Sequence, residues 1–409
     1  MAKKRFAQVG TGGRARFFYH AVASTYKETS ELVAFCDVNQ TRMDYANSYL
    51  ESVGTPKVPT YKHYEFDKMI EETKPDCIIV TSVDRTHDQY IIRAMELGCD
   101  VITEKPMTID EKRAQAIIDT QKRTGRDVRV SFNYRYAPHN TKVRELIMDN
   151  VIGDVFSVHF EWFLNTSHGA DYYRRWHRNK ENSGGLLVHK STHHFDMINW
   201  VTGKKPASVF ARGTLEFYGK NGPFRGECCH KCQHREKCPF YINVLETDIY
   251  KNYYYDVEDA SGYYRDGCVF AEEINIYDRM ALNVLFEDGA TMNYSLSCYS
   301  PDEGFKVSFT GTKGRVEMVS FTSGPHKDDP IEIKIITEDN QEKIVPTSYD
   351  TGTHGGADAK MLEVLFGINQ QPDPLGRGAG SYEGYLSLAV GDMAVQSIQT
   401  GREVGLTDI

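Results

Sequence analysis

Arg5-Phe6-Ala7-Gln8-Val9-Gly10-Thr11-Gly12-Gly13-Arg14-Ala15 decides the fold. A short apolar strand runs into G-x-G-x-x-A and the opening of a helix. Gly10 permits the tight turn, Gly12 lets the backbone approach a pyrophosphate, and small Ala15 allows close helix–sheet packing. The N–H groups that open the helix, at Gly13 and Arg14, then face the phosphate. An acid is due at the end of the second strand. Asp37 stands there, 27 residues after Gly10, in Val33-Ala34-Phe35-Cys36-Asp37. A carboxylate at that place accepts hydrogen bonds from ribose hydroxyls and repels a 2′-phosphate, which favours NAD over NADP. Arg42 lies near enough to weaken that preference. A Rossmann-like domain holding no dinucleotide, or another nucleotide, is the competing reading.

The same rhythm continues to about residue 130. Strand-like runs Glu31–Cys36, Asp76–Thr81, Asp100–Thr103 and Asp127–Ser131 alternate with helical runs Thr41–Val53, Tyr64–Glu72, Thr86–Leu97 and Ile109–Thr124. Short apolar strands separated by amphipathic helices predict an α/β fold, a doubly wound parallel sheet over residues 1–132. Residues 133–409 read as a second, α+β domain with a mostly antiparallel sheet. It contains a helix over Pro138–Asp149, a strand over Val155–Phe163, a polar loop, and a helix from Gly184-Gly185 to about Val201. Two hairpins follow, Met280–Phe286 with Thr291–Tyr299 and Phe305–Thr310 with Arg315–Ser320. Helices over Ala357–Ile368 and Ser381–Thr400 close the chain. Residues from about 218 to 270 break the rhythm and read as an insertion.

A chain of 409 residues suits two domains. A net charge of −9 argues against a nucleic-acid partner, which needs a basic face. No apolar run follows Met1-Ala2-Lys3-Lys4-Arg5 and no stretch has the ~18 uncharged apolar residues of a membrane span, so a cytoplasmic protein is expected. The 25 tyrosines, flat faces with a hydroxyl, suit a sugar pocket, though most belong to an ordinary core and surface. Four of the nine cysteines crowd into Cys228-Cys229-x-x-Cys232-x5-Cys238. Cys229, Cys232 and Cys238 offer three soft ligands, with Cys228, Cys268, His230 or His234 as a fourth. The expectation is a structural zinc that folds the insertion; free thiols or a disulfide are the alternative.

Two further stretches carry chemistry. Val101-Ile102-Thr103-Glu104-Lys105-Pro106 puts a lysine at the carboxyl end of a parallel strand, the edge where open α/β sheets bind ligands. Pro106 restricts Lys105 to an extended backbone, which would direct its ammonium into the crevice; a surface lysine before a helix is the competing reading. Gly184-Gly185-Leu186-Leu187-Val188-His189-Lys190-Ser191-Thr192-His193-His194-Phe195-Asp196 puts His189 and His193 four residues apart on one helix face. They serve as an acid/base pair, as metal ligands with His354 as a third, or as a buried polar helix without chemistry. Tyr136, Arg174, Arg175, Trp176 and His177, in loops between these motifs, have groups suited to hydroxyl recognition; a solvated loop with one buried Trp is the competing reading.

In this order, G-x-G-x-x-A, the Asp37 strand, the Thr81-to-His87 loop, Glu104-Lys105-Pro106, Tyr134-Arg135-Tyr136-x-Pro138 and Gly184-Gly185 before a His/Asp helix resemble one family. It is the glucose-fructose oxidoreductase, inositol dehydrogenase and rhizopine-catabolism (Gfo/Idh/MocA) family of NAD(P)-dependent oxidoreductases. The resemblance implies a Rossmann domain followed by an α/β domain with a large open sheet, and a dimer or tetramer through that sheet's exposed face. The cofactor contacts it implies are Gly10, Gly12, Gly13, Arg14, Ala15, Asp37, Ser82, His87, Glu104 and Lys105. Lys105 becomes the active-site lysine and His193 the proton shuttle. His189 stands where the family commonly has aspartate, and Lys190 follows it on the substrate side, which is a departure. The expected activity is hydride transfer between NAD and a carbinol carbon of a sugar, glycoside or cyclitol. The alternatives are a redox-neutral glycosidase and a non-catalytic NAD-binding regulator.

Overall fold

What the strands bury separates the two sheets of the molecule. The computed structural model describes residues 2–258, 262–347, 356–367 and 372–407. The first sheet holds β1 (Lys4–Val9), β2 (Ser30–Asp37), β3 (Thr60–Lys62), β4 (Cys77–Val80), β5 (Asp100–Thr103) and β6 (Val128–Val130). All pairings are parallel, in the order β3-β2-β1-β4-β5-β6. Every residue of Cys-Ile-Ile-Val in β4 is buried, as is all of β2 except Glu31. Burial on both faces follows from helices on both sides: α1 (Ala15–His20), α2 (Gln40–Ser52), α3 (Phe66–Thr73), α4 (His87–Glu96) and α5 (Glu111–Thr124). Asn39 and Asp110 start α2 and α5 by accepting from the N–H of Arg42 and Arg113, caps worth about 1 kcal/mol each. Strand order reverses between β1 and β4, so the ligand crevice opens past their carboxyl ends.

The second sheet alternates instead. Its strands are β7 (Val155–Asn165), β8 (Pro206–Thr214), β9 (Arg279–Phe286), β10 (Thr291–Ser300), β11 (Gly304–Gly311), β12 (Gly314–Phe321), β13 (Glu332–Thr337), β14 (Glu342–Pro346) and β15 (Val404–Gly405). Their order is β14-β13-β12-β11-β7-β10-β9-β8-β15; β7 and β10 run parallel and the other pairs antiparallel. In β9 every second residue is buried, the period of a sheet with one face on the core and one open. The long helix Ser381–Thr400 packs between this sheet and α5.

Three elements differ from the sequence reading. The polar loop after β7 contains a helix, α6 being Pro138–Met148 and this one α7 (Thr166–Arg174), started by the Asn165 side chain on the His168 N–H. After α8 (Lys180–Ser183), the expected single helix from Gly185 splits into α9 (Leu186–His189) and α10 (Thr192–Thr202). The Ser191 N–H reaches back five residues to the Leu186 carbonyl (2.9 Å), so the turn widens and His193 is no longer simply one turn above His189. The edge strands β13 and β14 extend the sheet beyond the second hairpin. Residues 215 to 278, among those described, add no strand to either sheet and carry the short helix α11 (Asp248–Tyr253).

Candidate active site

The phosphate loop lies at the crevice between β1 and β4. Gly10 has φ +85°, and a Cβ there would stand 2.6 Å from the backbone of Thr81 and Ser82, so only glycine fits. Nothing stands within 4 Å of where a Gly12 Cβ would be, which leaves its backbone open to a phosphate. Ala15 is fully buried. The Asp37 carboxylate accepts from the Thr11 N–H (2.5 Å) and hydroxyl (2.9 Å) on Oδ2 and from the Asn39 N–H (2.8 Å) on Oδ1. Of a carboxylate's roughly four acceptor sites, this leaves one for a ribose hydroxyl. Arg42 is engaged by the insertion on one edge, while its Nη2 has no hydrogen-bond partner among the described residues. Its Nε donates to the Tyr253 carbonyl (3.0 Å), and its guanidinium lies 5.5 Å from the Tyr254 ring.

Tyr253 and Tyr254 belong to the insertion, which reaches over the loop. The Tyr254 hydroxyl stands 2.7 Å from where a Gly13 Cβ would be. The Tyr253 and Tyr19 hydroxyls share a 2.7 Å hydrogen bond. At its other end the insertion is tied to α7: Arg265 pairs with Asp171 (2.6 Å) and Arg174 donates to the Phe240 carbonyl (3.2 Å). This contact was not legible in sequence.

Two expected cofactor residues act at one remove. His87 is buried with its ring nitrogens against the Pro106 carbonyl (2.9 Å) and the Ser82 carbonyl (3.1 Å). It braces the Glu-Lys-Pro turn instead of facing a ligand, and burial holds its pKa down. Ser82 shares a hydroxyl hydrogen bond with Thr86 (2.8 Å). Arg14 spans the loop to Glu104 (2.5 Å), which also accepts from the Lys105 N–H (3.0 Å).

The Lys105 ammonium crosses to the second domain and donates to the His189 carbonyl (3.0 Å). Burial lowers its pKa, and the carboxylates of Glu104 and Asp84 oppose that. Asp84, missed in the sequence, follows β4 and sits 2.5 Å from His189 Nδ1 with both side chains nearly buried. Burial pushes Asp84 up while Lys105 pulls it down, and burial with Lys105 keeps His189 well below its ordinary value. The 2.5 Å contact between Asp84 and Nδ1 fixes the orientation of the His189 ring. The signal for Asp84 was its place: an acid just past a strand at the strand-order reversal.

His193 stacks flat on Tyr134, ring centroids 4.4 Å apart, with Phe132 at its edge. Tyr134, not Tyr136, thus faces this site. Tyr136 is turned the other way, packed with Ala137, Ala357 and Met361 beneath Arg377. Two forked hydrogen bonds from Arg135 to the buried Asp196 (2.8 and 2.6 Å) lock the Tyr134–Tyr136 turn onto α10. Trp176 stacks on His177 (3.7 Å), whose ring lies 4.3 Å from His189. Arg175 is paired with Asp171 (3.4 Å). Lys190 lies over Trp162. His354 lies outside the described residues.

The expected zinc ligands share one cavity but, among the described residues, do not converge as a set within 4.8 Å of one another. Cys229, Cys232 and Cys238 line one small cavity with Cys228 and Cys268. Among the described residues the group whose ligand atoms lie within 4.8 Å of one another is Cys228, His230 and Asp266 instead. The Arg174 guanidinium stands 3.9 Å from the Cys229 sulfur, so one of the expected ligands faces a cation. Burial also raises the thiol pKa of Cys229 and Cys238.

A doubly wound parallel sheet with its phosphate loop, and a lysine from that sheet meeting a histidine helix of a second sheet, define a two-domain nucleotide-dependent oxidoreductase. Residues 4–132 match the oxidoreductase-family NAD-binding Rossmann fold and residues 144–406 match the oxidoreductase-family C-terminal alpha/beta domain. The chain belongs to the Gfo/Idh/MocA oxidoreductase family, and its first domain is of the type that takes an NAD-type cofactor.

YteT of Bacillus subtilis (strain 168), described only as an oxidoreductase, is 36% identical over 374 residues, 86% of each chain. Glucose-6-phosphate 3-dehydrogenase of the same organism is 27% identical over 264 residues, 59% of this chain and 72% of its own. Among solved structures, aldose-aldose oxidoreductase from Caulobacter crescentus superposes with TM-score 0.67 at 19% identity, over 99% of this chain and 100% of its own. WlbA dehydrogenase from Bordetella pertussis, in complex with NADH and UDP-GlcNAcA, does so with TM-score 0.67 at 16% identity over all of both chains. Both share the fold. No helix among the described residues is long and apolar enough to cross a membrane.

Proposed function

We propose that the chain is an NAD-dependent dehydrogenase acting on a carbinol carbon of a sugar, glycoside or cyclitol. The observation that carries this is the bond from Lys105 Nζ to the His189 carbonyl, which brings the first domain's ammonium to the histidine helix, four residues before His193. The cofactor, when bound, accepts or returns the hydride. Lys105 holds the substrate oxygen and favours its alkoxide-like state. His193, on its Tyr134 platform, takes or returns the hydroxyl proton. Asp84 and His189 position Lys105. The backbone of Gly10 to Ala15 seats the phosphates, and Asp37 takes a ribose hydroxyl. The 1–132 and 133–409 division and a homodimer or homotetramer through the open sheet face belong to the same reading.

The test is NADH formation at 340 nm with a panel of sugars, methyl glycosides and inositols. One polyol should give sustained turnover. Tight NAD binding with no absorbance change for any of them would sink the reading. A second reading, transient oxidation followed by glycosidic elimination and re-reduction, is favoured by one feature, the Tyr254 hydroxyl over Gly13, which restrains a bound dinucleotide. Sugar released from a glycoside without net NADH would select it.

A further inference from the structure

Lys190 is 7% exposed, and among the described residues its side chain has no hydrogen bond and no ion pair. Its ammonium lies 4.7 Å from the centre of the Trp162 ring. Four other cations among the described residues of the cleft are answered. Arg14 has Glu104, Arg175 and Arg265 have Asp171, and Lys105 has the His189 carbonyl with Asp84 and Glu104 nearby. Around Lys190 stand Lys105, which repels it, and Glu303, which attracts it. Glu303 is already engaged by His168 (2.8 Å) and the Asn165 amide (2.9 Å). His194 and Cys298 are the other titratable groups facing it, and burial keeps the one neutral and the other a thiol. The opposite wall is aromatic: Trp162 adjoins Tyr134, on which His193 stacks.

Burying an ammonium without a partner is costly, and an aromatic face returns only part of that cost. A protein that keeps such a group beside its catalytic residues leaves the complement to be brought by what binds there. An anion beside Lys190 would also screen the repulsion between the two lysines. One ammonium, without an arginine fork or a second free donor, matches a single negative charge better than a phosphate dianion, which would leave excess charge facing Glu303.

We propose that Lys190 is the recognition point for a carboxylate on the substrate, so that the cleft takes uronic acids or their glycosides in preference to neutral sugars. The inference rests on reading this cleft as a sugar dehydrogenase site. Burial and Lys105 bring the Lys190 pKa down to about 8. The charged form therefore dominates below that pH, and the preference should fade as pH rises through it.

The test is calorimetric binding of four probes to the full chain loaded with NADH: methyl β-D-glucuronide, methyl β-D-galacturonide, methyl β-D-glucoside and glucose 6-phosphate. One of the two uronides should bind about 10-fold or more tightly than the glucoside. Lys190→Met should bring the uronide and the glucoside to within about 2-fold, and Lys190→Arg should keep most of the preference. A melting curve and unchanged NADH affinity show whether each variant is folded. Equal affinities in the native chain, no binding by either uronide, tighter binding of the phosphosugar, or a preference that survives Lys190→Met would each overturn the proposal. Turnover is read in parallel. Uronide binding lost in Lys190→Met, with no NADH or NAD formed from any sugar, would sink the dehydrogenase reading and leave the carboxylate site standing.

Discussion

The two walls of the cleft are built on different chemistry. On the wall from the first sheet, polar groups are answered by other polar groups: Asp37 by Thr11 and Asn39, Glu104 by Arg14, Asp84 by His189, Lys105 by a carbonyl. On the wall from the second domain, polar groups rest on rings: His193 on Tyr134, Lys190 on Trp162, His177 on Trp176. A fixed hydrogen-bond lattice suits a ligand that never varies, and it holds reacting groups to within fractions of an ångström. Aromatic faces suit the apolar C–H faces of a sugar ring, and among the described residues the Lys190 ammonium above Trp162 has no hydrogen bond. On the proposed function the first wall would place the reacting groups and the second would select the substrate.

That contrast breaks most directly at Lys105. Lys105→Met should lower kcat/KM by about 10³-fold while NAD affinity, measured by fluorescence titration, changes less than about 3-fold. A loss confined to KM would instead make Lys105 a mere binding group. His193→Asn should follow with about 10²-fold in kcat and the loss of one limb of the pH profile. Retention of that limb would move proton transfer to another group. Asp84→Asn should cost about 10-fold and sharpen the picture, because it acts through others. Asp84 raises the Lys105 pKa, so removing its charge lets that pKa fall, and the limb of the kcat/KM profile that reports Lys105 should move to lower pH. An unmoved limb would make the Asp84–His189 pair purely structural. Tyr254→Ala should have the smallest effect, an NADH dissociation rate a few-fold higher by stopped flow with kcat for the sugar unchanged when chemistry limits.

The first wall was largely readable in the sequence because its signals are local. Strand, glycine turn and helix follow one another within Arg5–Ala15, and Glu104-Lys105-Pro106 ends an apolar strand. The closing helix Ser381–Thr400 was placed to the residue. What escaped depends on distant pairs. Asp84 gains its meaning from His189, 105 positions on, and Tyr254 from Gly13, 241 positions back. Tyr134 and Tyr136 are two apart in a tight turn, so which one faces the histidine is set by the Arg135–Asp196 lock, not by residue type. The edge strand β14 lies almost wholly exposed and has no alternation to detect. The cysteine spacing could not say that a cation stands beside Cys229, because Arg174 arrives from α7.

The cleft is fastened along both lips. The helix Ser381–Thr400 against α5 is the spine of the book, and the insertion, tied to Tyr19 and Arg42 on one cover and to Asp171 and Arg174 on the other, is its clasp. A dinucleotide seated on the Gly10–Ala15 loop, as the proposed function has it, would lie beside this clasp at Tyr254. On the proposed dehydrogenase reading the nucleotide is exchanged in every round, so the clasp at Tyr254 would lie on its path of release.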